Sequence, residues 1–180
     1  MRFKKLLLIP FLLIWIVISC KGENENKPLK KENTVEAEFV RVVDGDTIVV
    51  NLNGMQEKVR LIGIDTPESR VNKRAFIQEK ETGKNVQEIV ELGKLAKEFT
   101  ASKLKPGQKV YLEFDVQQRD KYGRLLAYVW LDDKTMLNKE IICNGYAYPL
   151  TVPPNVKYEE EFRECFRQAR EKGLGLFKGE

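Results

Sequence analysis

An unbroken apolar run from Leu6 to Ile18 stands behind the cations Arg2, Lys4 and Lys5 and ends at Ser19-Cys20. It is shorter than the roughly 20 apolar residues that cross a bilayer, and its charged start suits a secretory leader. Residues 1–19 are therefore predicted to be a signal peptide. From Lys21 to Glu36 apolar positions almost vanish in favour of Lys, Glu and Asn. Such a stretch buries too little surface to offset the entropy of ordering it, which predicts a flexible tether over residues 20–36.

From Ala37 onward the pattern is that of a folded domain, 37–180. Phe39, Val40, Val42 and Val43 lead into Asp44-Gly45-Asp46, and the β-branched character resumes from Thr47 to Leu52. Asn53-Gly54 is a two-residue hairpin signal. It returns the chain through a third strand, Lys58 to Ile64. Val110–Phe114 and Leu125–Leu131 are two further β-branched or aromatic runs. Before them, Ile89, Leu92, Ala96 and Phe99 recur at spacings of three and four, predicting a helix that stops near Pro106-Gly107. Met136–Cys143 reads as a shorter helix ended by Asn144-Gly145. Tyr158, Phe162, Cys165, Phe166 and Ala169 mark a last one, ended by Gly173. This order predicts an α+β fold, mainly β: a five-stranded OB-type barrel with three helices.

Composition removes several chemistries. The chain has no His, so histidine general bases, His-rich zinc sites and Ser-His-Asp hydrolysis are excluded. Cys143 and Cys165 alone do not complete a four-ligand zinc site; they form either a disulfide or a pair of buried thiols, and their apolar helical settings favour thiols. The formal charge of +4 drops to +1 once a leader carrying Arg2, Lys4 and Lys5 is removed. Any site for a polyanion must then be a local cluster of cations.

Asp46 opens one strand and Asp65 closes its neighbour, so the Asn53-Gly54 hairpin brings two carboxylates to one end of the sheet. Oxygen ligands of this kind suit calcium or magnesium. Each fragment also has a plainer reading: Asp44-Gly45-Asp46 as a turn, Thr66-Pro67-Glu68 as a helix start. Arg60 interrupts an apolar strand and Arg124 precedes another; a guanidinium fork matches phosphate oxygens two at a time. A straight strand would put Arg60 about 16 Å along from Asp65, so only barrel coiling and a long side chain could unite them.

The segments Val43–Thr47, Arg60–Glu68 and Asp120–Tyr128, in this order, resemble the three signatures of the staphylococcal nuclease (thermonuclease) family, and the likeness extends from Ala37 to Phe177. The resemblance implies a nuclease that hydrolyses phosphodiester bonds in DNA and RNA with Ca2+, acting as a monomer. It implies that Asp46, Asp65 and the backbone carbonyl of Thr66 bind the metal, with Asp44 behind them. Glu68 would position or deprotonate the attacking water, Arg60 and Arg124 would grip the phosphate, and Lys121 and Tyr122 would contact a terminal phosphate. Cys20 follows a bacterial lipobox-like ending, Val17-Ile18-Ser19, which implies lipidation at Cys20 and a protein attached to the membrane of the bacterial cell envelope, facing the periplasm or exterior.

Two departures from the family pattern stand out. Ser69–Gln87 is longer than expected and rich in Lys, Arg and Glu, suggesting a lid or a nucleic-acid-facing loop. Thr151 and Pro153 occupy the places of two tyrosines that line the family's nucleotide site, with Tyr146 or Tyr148 as candidate substitutes. The competing readings are a catalytically silent OB-type module that binds nucleic acid or protein, and an envelope scaffold or adhesin. Neither needs the full set of carboxylates and arginines.

Overall fold

The computed structural model describes residues 33–178. The expected leader, the lipidated Cys20 and most of the tether lie outside the described residues. Five strands close a barrel in the order β1-β2-β3-β6-β5: β1 (Val35–Asp44), β2 (Thr47–Leu52), β3 (Met55–Leu61), β5 (Lys109–Glu113) and β6 (Leu125–Trp130). β3 and β6 run parallel and the other pairs antiparallel, so the barrel is mixed. A short strand β4 (Gly63–Asp65) leaves the barrel and pairs with β7 (Tyr148–Leu150).

The β1 strand starts at Val35, two residues before the expected domain start, because Val35 and Glu36 pair with Leu112 and Tyr111 of β5. The β2–β3 hairpin turns where Asn53 (φ 53°) and Gly54 (φ 83°) adopt the left-handed conformation that a tight two-residue turn demands. Register shifts in β1 between Phe39 and Arg41 and between Val42 and Asp44 coil that strand around the barrel. Ile48, Val50, Val59, Leu61, Val110 and Leu112 are buried in the core.

Helices number four among the described residues, not three, with a 3₁₀ turn at Gly175–Phe177. The addition is α1 (Lys73–Thr82), within the stretch expected to be a lid or loop. Asn72 caps its start by accepting from the Ala75 amide, and Gly83 (φ 73°) ends it. Ala75 packs against Val86 and Ile89 of α2 (Val86–Ser102) in a small cluster beside the main core. Two further helices, α3 (Leu137–Cys143) and α4 (Glu159–Glu171), pack against each other and against β6 and β7 respectively. They are joined by a disulfide between Cys143 and Cys165, with Cα atoms 4.4 Å apart. The preference for buried thiols is thus corrected; the approach of α4 to α3 is a tertiary fact that apolar spacing along each helix does not encode.

Candidate active site

At the end of β3 the chain changes direction. Gly63 has φ +83°, and a Cβ there would lie 2.5 Å from the Phe162 ring, so this corner requires glycine on both conformational and packing grounds. Arg60 folds back along the corner's inner side. Its Nη1 donates to the carbonyls of Leu61 (3.0 Å) and Ile64 (2.7 Å), and its Nη2 donates to Asp65 Oδ1 (2.8 Å). The corner at Gly63 and the length of the Arg60 side chain together bring these two charges into contact, despite the separation of about 16 Å that a straight strand would put between the residues.

The same Nη2 lies 3.1 Å from Asp46 Oδ2, so one guanidinium nitrogen stands between the two carboxylates. Asp46 is held rigidly. Its Oδ2 accepts from the Thr66 amide (3.0 Å) and hydroxyl (3.2 Å), and its Oδ1 accepts from the Thr47 hydroxyl (2.9 Å). Gly45 allows this closeness, since a Cβ there would lie 2.8 Å from Thr66 Oγ1. The buried Thr100 hydroxyl donates to the Gly45 carbonyl (2.7 Å) and ties this turn to α2.

Glu68 faces the same cleft, a depression of about 770 Å³ whose lining includes Asp44, Asp46, Arg60, Asp65, Glu68 and Arg124. Asn72 Nδ2 donates to Glu68 Oε2 (2.7 Å). Burial pushes the Glu68 carboxyl above its ordinary value, the Asn72 bond opposes this, and the charges of Asp44 and Asp46 add to the rise. Burial and then the charge of Asp46 likewise raise Asp44, which accepts from the Gly45 amide (3.0 Å) and the Ser69 amide (3.3 Å).

Arg124, just before β6, lines the cleft from the strand next to β3. A turn built on Asp120 holds it: Asp120 Oδ1 accepts from the amides of Tyr122 (2.9 Å) and Arg124 (3.0 Å), while Oδ2 accepts from Arg124 Nε (2.7 Å). Burial works against the Asp120 charge, but these donors outweigh it and hold the carboxyl below its usual range. Tyr122 lines the cleft and is 73% exposed. Lys121 is not among the lining residues; its ammonium lies 5.1 Å from the Tyr122 ring centre.

The donor set fits a hard cation. Among the described residues no three His, Cys, Asp or Glu side chains form a ready cage, but the two carboxylates already hold a positive group between them, and every donor is oxygen. The guanidinium stands where such an ion would compete for the same charges. Thr66 itself is 2% exposed and does not line the cleft, and its carbonyl accepts from Gln78 Nε2 (3.0 Å).

The family described as "Staphylococcal nuclease homologue" matches residues 58–179. The chain belongs to the staphylococcal nuclease family. It is 38% identical over 160 residues to a thermonuclease of Staphylococcus hyicus, covering 86% of both chains. With a thermonuclease of Staphylococcus intermedius the identity is 39% over 167 residues, covering 91% of this chain and 90% of the relative. An endonuclease of Bacillus subtilis (strain 168), YncB, is 33% identical over 162 residues, covering 87% of this chain and 67% of the relative.

For a member of the staphylococcal nuclease family, several residues at this site were missed by the motifs. Arg74 on α1 pairs with Asp65 Oδ2 (3.0 Å), and Gln78, from the same helix, is buried beneath the Thr66–Glu68 segment. Gly93 on α2 lets that segment approach, since a Cβ there would lie 2.3 Å from the Glu68 carbonyl oxygen. The capping pair Asn72 and Gly83 was the available signal for α1; a glycine inside the α2 periodicity was the signal for close approach. Of the candidate tyrosines, Tyr146 stacks on Phe99 with ring centres 4.2 Å apart, while Tyr148 packs against Phe166 and Phe177 and borders a second cavity beside Asp65.

Proposed function

We propose that this protein is a calcium-dependent nuclease, anchored by lipid on Cys20 in the bacterial cell envelope and facing the periplasm or exterior, that hydrolyses phosphodiester bonds of DNA and RNA by attack of water. As a member of its family, with thermonuclease and endonuclease relatives, it is a nucleic-acid hydrolase. The silent binding module and the envelope scaffold are set aside on that ground. The observation that carries the mechanism is the convergence of Asp46, Asp65, Arg60, Glu68 and Arg124 on one cleft.

Calcium held by Asp46, Asp65 and the Thr66 carbonyl would supply positive charge to a phosphoryl oxygen and to the attacking water. Glu68, raised by burial, is the group to take the proton from that water. Arg60 and Arg124 both line the cleft, and their guanidinium groups would bind the other phosphoryl oxygens as charge develops on them. Asp44 would support the carboxylates from behind, and Tyr122 with Lys121 at its ring would meet a terminal phosphate at the cleft's edge. The protein is expected to act as a monomer.

Location outside the cytoplasm draws support from the Cys143–Cys165 disulfide, a bond characteristic of oxidising compartments. The deciding experiment incubates the purified protein with plasmid DNA and with RNA, in calcium and in excess EDTA. Cleavage that requires calcium is expected; full activity in EDTA overturns the mechanism. For the anchor, Cys20→Ser should move the protein from the detergent phase to the aqueous phase. Unchanged partition together with unchanged removal of the leader overturns the lipidation.

A further inference from the structure

The polar face of α1 reaches the candidate site at three points. Asn72 Nδ2, at the cap, donates to Glu68 Oε2 (2.7 Å); Arg74 Nη2 lies 3.0 Å from Asp65 Oδ2; and Gln78 lies beneath the chain between them. Gln78 is only 6% exposed. Its Oε1 accepts from the Glu68 amide (3.0 Å), and its Nε2 donates to the Thr66 carbonyl (3.0 Å) and lies 3.4 Å from Asp65 Oδ2.

One side-chain amide thus clamps a carbonyl and an N–H two residues apart, as an adjacent strand would. Among side chains in their usual protonation state at neutral pH, a primary amide presents a neutral donor and an acceptor side by side in one plane, and glutamine has the reach to do so from a helix. We propose that Gln78 is a positioning residue of the nuclease site: it sets the spacing between the Thr66 carbonyl and Glu68 and so couples cation binding to the placement of the water-activating carboxylate. The inference rests on the nuclease reading given above. A carbonyl oxygen has two lone pairs, so Gln78 occupies one and leaves the other for a cation. Partners of this kind, which orient a ligand without touching the metal, typically change metal affinity or activity by about 10–100-fold when removed.

A purely structural role would satisfy buried polar groups and nothing more. The two roles separate in the full-length protein with Gln78→Met, which keeps the length and removes the amide, and Gln78→Asn, which keeps a buried amide but is one methylene too short to span both partners. Calcium binding is read by calorimetry, Glu68 amide exchange is read in the metal-free protein, and kcat and KM are read on DNA. Folding is checked by circular dichroism. Either folded variant should show a calcium midpoint raised about tenfold, a kcat lowered about tenfold with KM within twofold, and faster exchange at the Glu68 amide. A calcium midpoint and kcat within twofold of the parent in a folded variant overturn the inference while the nuclease reading stands. A parent that neither binds calcium nor cleaves overturns both, before any variant is compared.

Discussion

Arg60 Nη2 lies between Asp65 Oδ1 at 2.8 Å and Asp46 Oδ2 at 3.1 Å, so the residue proposed to grip phosphate neutralises the residues proposed to hold calcium. Its side chain is 12% exposed and also bonds two backbone carbonyls of the corner. Arg60 therefore has a structural contribution beside the catalytic one proposed for it, and the two separate by condition. In Arg60→Gln, the carboxylates lose their built-in cation and calcium meets less competition. A unit charge at about 4 Å counts for about 1 kcal/mol even in water, so the calcium midpoint should fall by about fivefold or more. Melting temperature in EDTA should fall too, and kcat by about 10²-fold. A raised calcium midpoint in calorimetry contradicts this competition.

Arg124 lacks that second duty, being paired with Asp120 and not with the two candidate metal carboxylates. Arg124→Lys keeps the charge but loses the fork, and single-turnover cleavage should slow by about 10²-fold with the melting temperature nearly unchanged. A rate within threefold of the parent removes Arg124 from the mechanism.

Glu68→Gln should cut kcat by about 10²- to 10⁴-fold while calcium still binds. Because burial raises this carboxyl, NMR titration of the calcium-free protein should place Glu68 above the ordinary value of 4.5. Protonation then occurs at higher pH than for an exposed glutamate. A value at or below 4.5 would mean that the Asn72 bond, not burial, dominates.

Gly93→Ala tests the seat of the same residue from the other side. The added methyl would meet the Glu68 carbonyl oxygen at 2.3 Å, and both partners are backbone, so the segment must shift. Alanine favours a helix by about 1 kcal/mol over glycine, yet activity should drop by at least about tenfold, because small displacements of catalytic groups are costly. Full activity would show that the Glu68 segment tolerates displacement.

Reduction of the Cys143–Cys165 bond, or Cys143→Ser with Cys165→Ser, opens a loop of sequence separation 22. The expected loss is about 3 kcal/mol of stability. A thermal scan with and without reductant measures it, and coincident transitions would contradict the contribution.

Much of the barrel was legible because its signals are local. Asn53-Gly54 fixes a turn by backbone preference alone, and the β2 and β3 positions pair in unbroken register across it. The carboxylates, arginines and Glu68 were legible as motif residues, and the structure brings them to one cleft. What escaped is set by tertiary approach. Gly63 looked like one residue of a continuous strand, yet it is a corner whose requirement comes from Phe162, about a hundred positions away. The α1 helix escaped because it buries only Ala75 and Gln78, so no apolar stripe marks it. The disulfide escaped because distance between helices is invisible to spacing within them.

The long first strand has a consequence for how the protein would stand at a surface. β1 spans 10 residues from Val35 to Asp44, a path of about 30 Å at the usual strand rise. Whatever precedes Val35 therefore joins the barrel at the end remote from Asp44 and the cleft. With the anchor proposed at Cys20 and a flexible tether expected before Val35, the tether would meet the barrel away from the cleft, leaving the cleft free to turn from the anionic lipid headgroups that repel polynucleotides. A long nucleic acid diffusing past could then be captured without touching the bilayer.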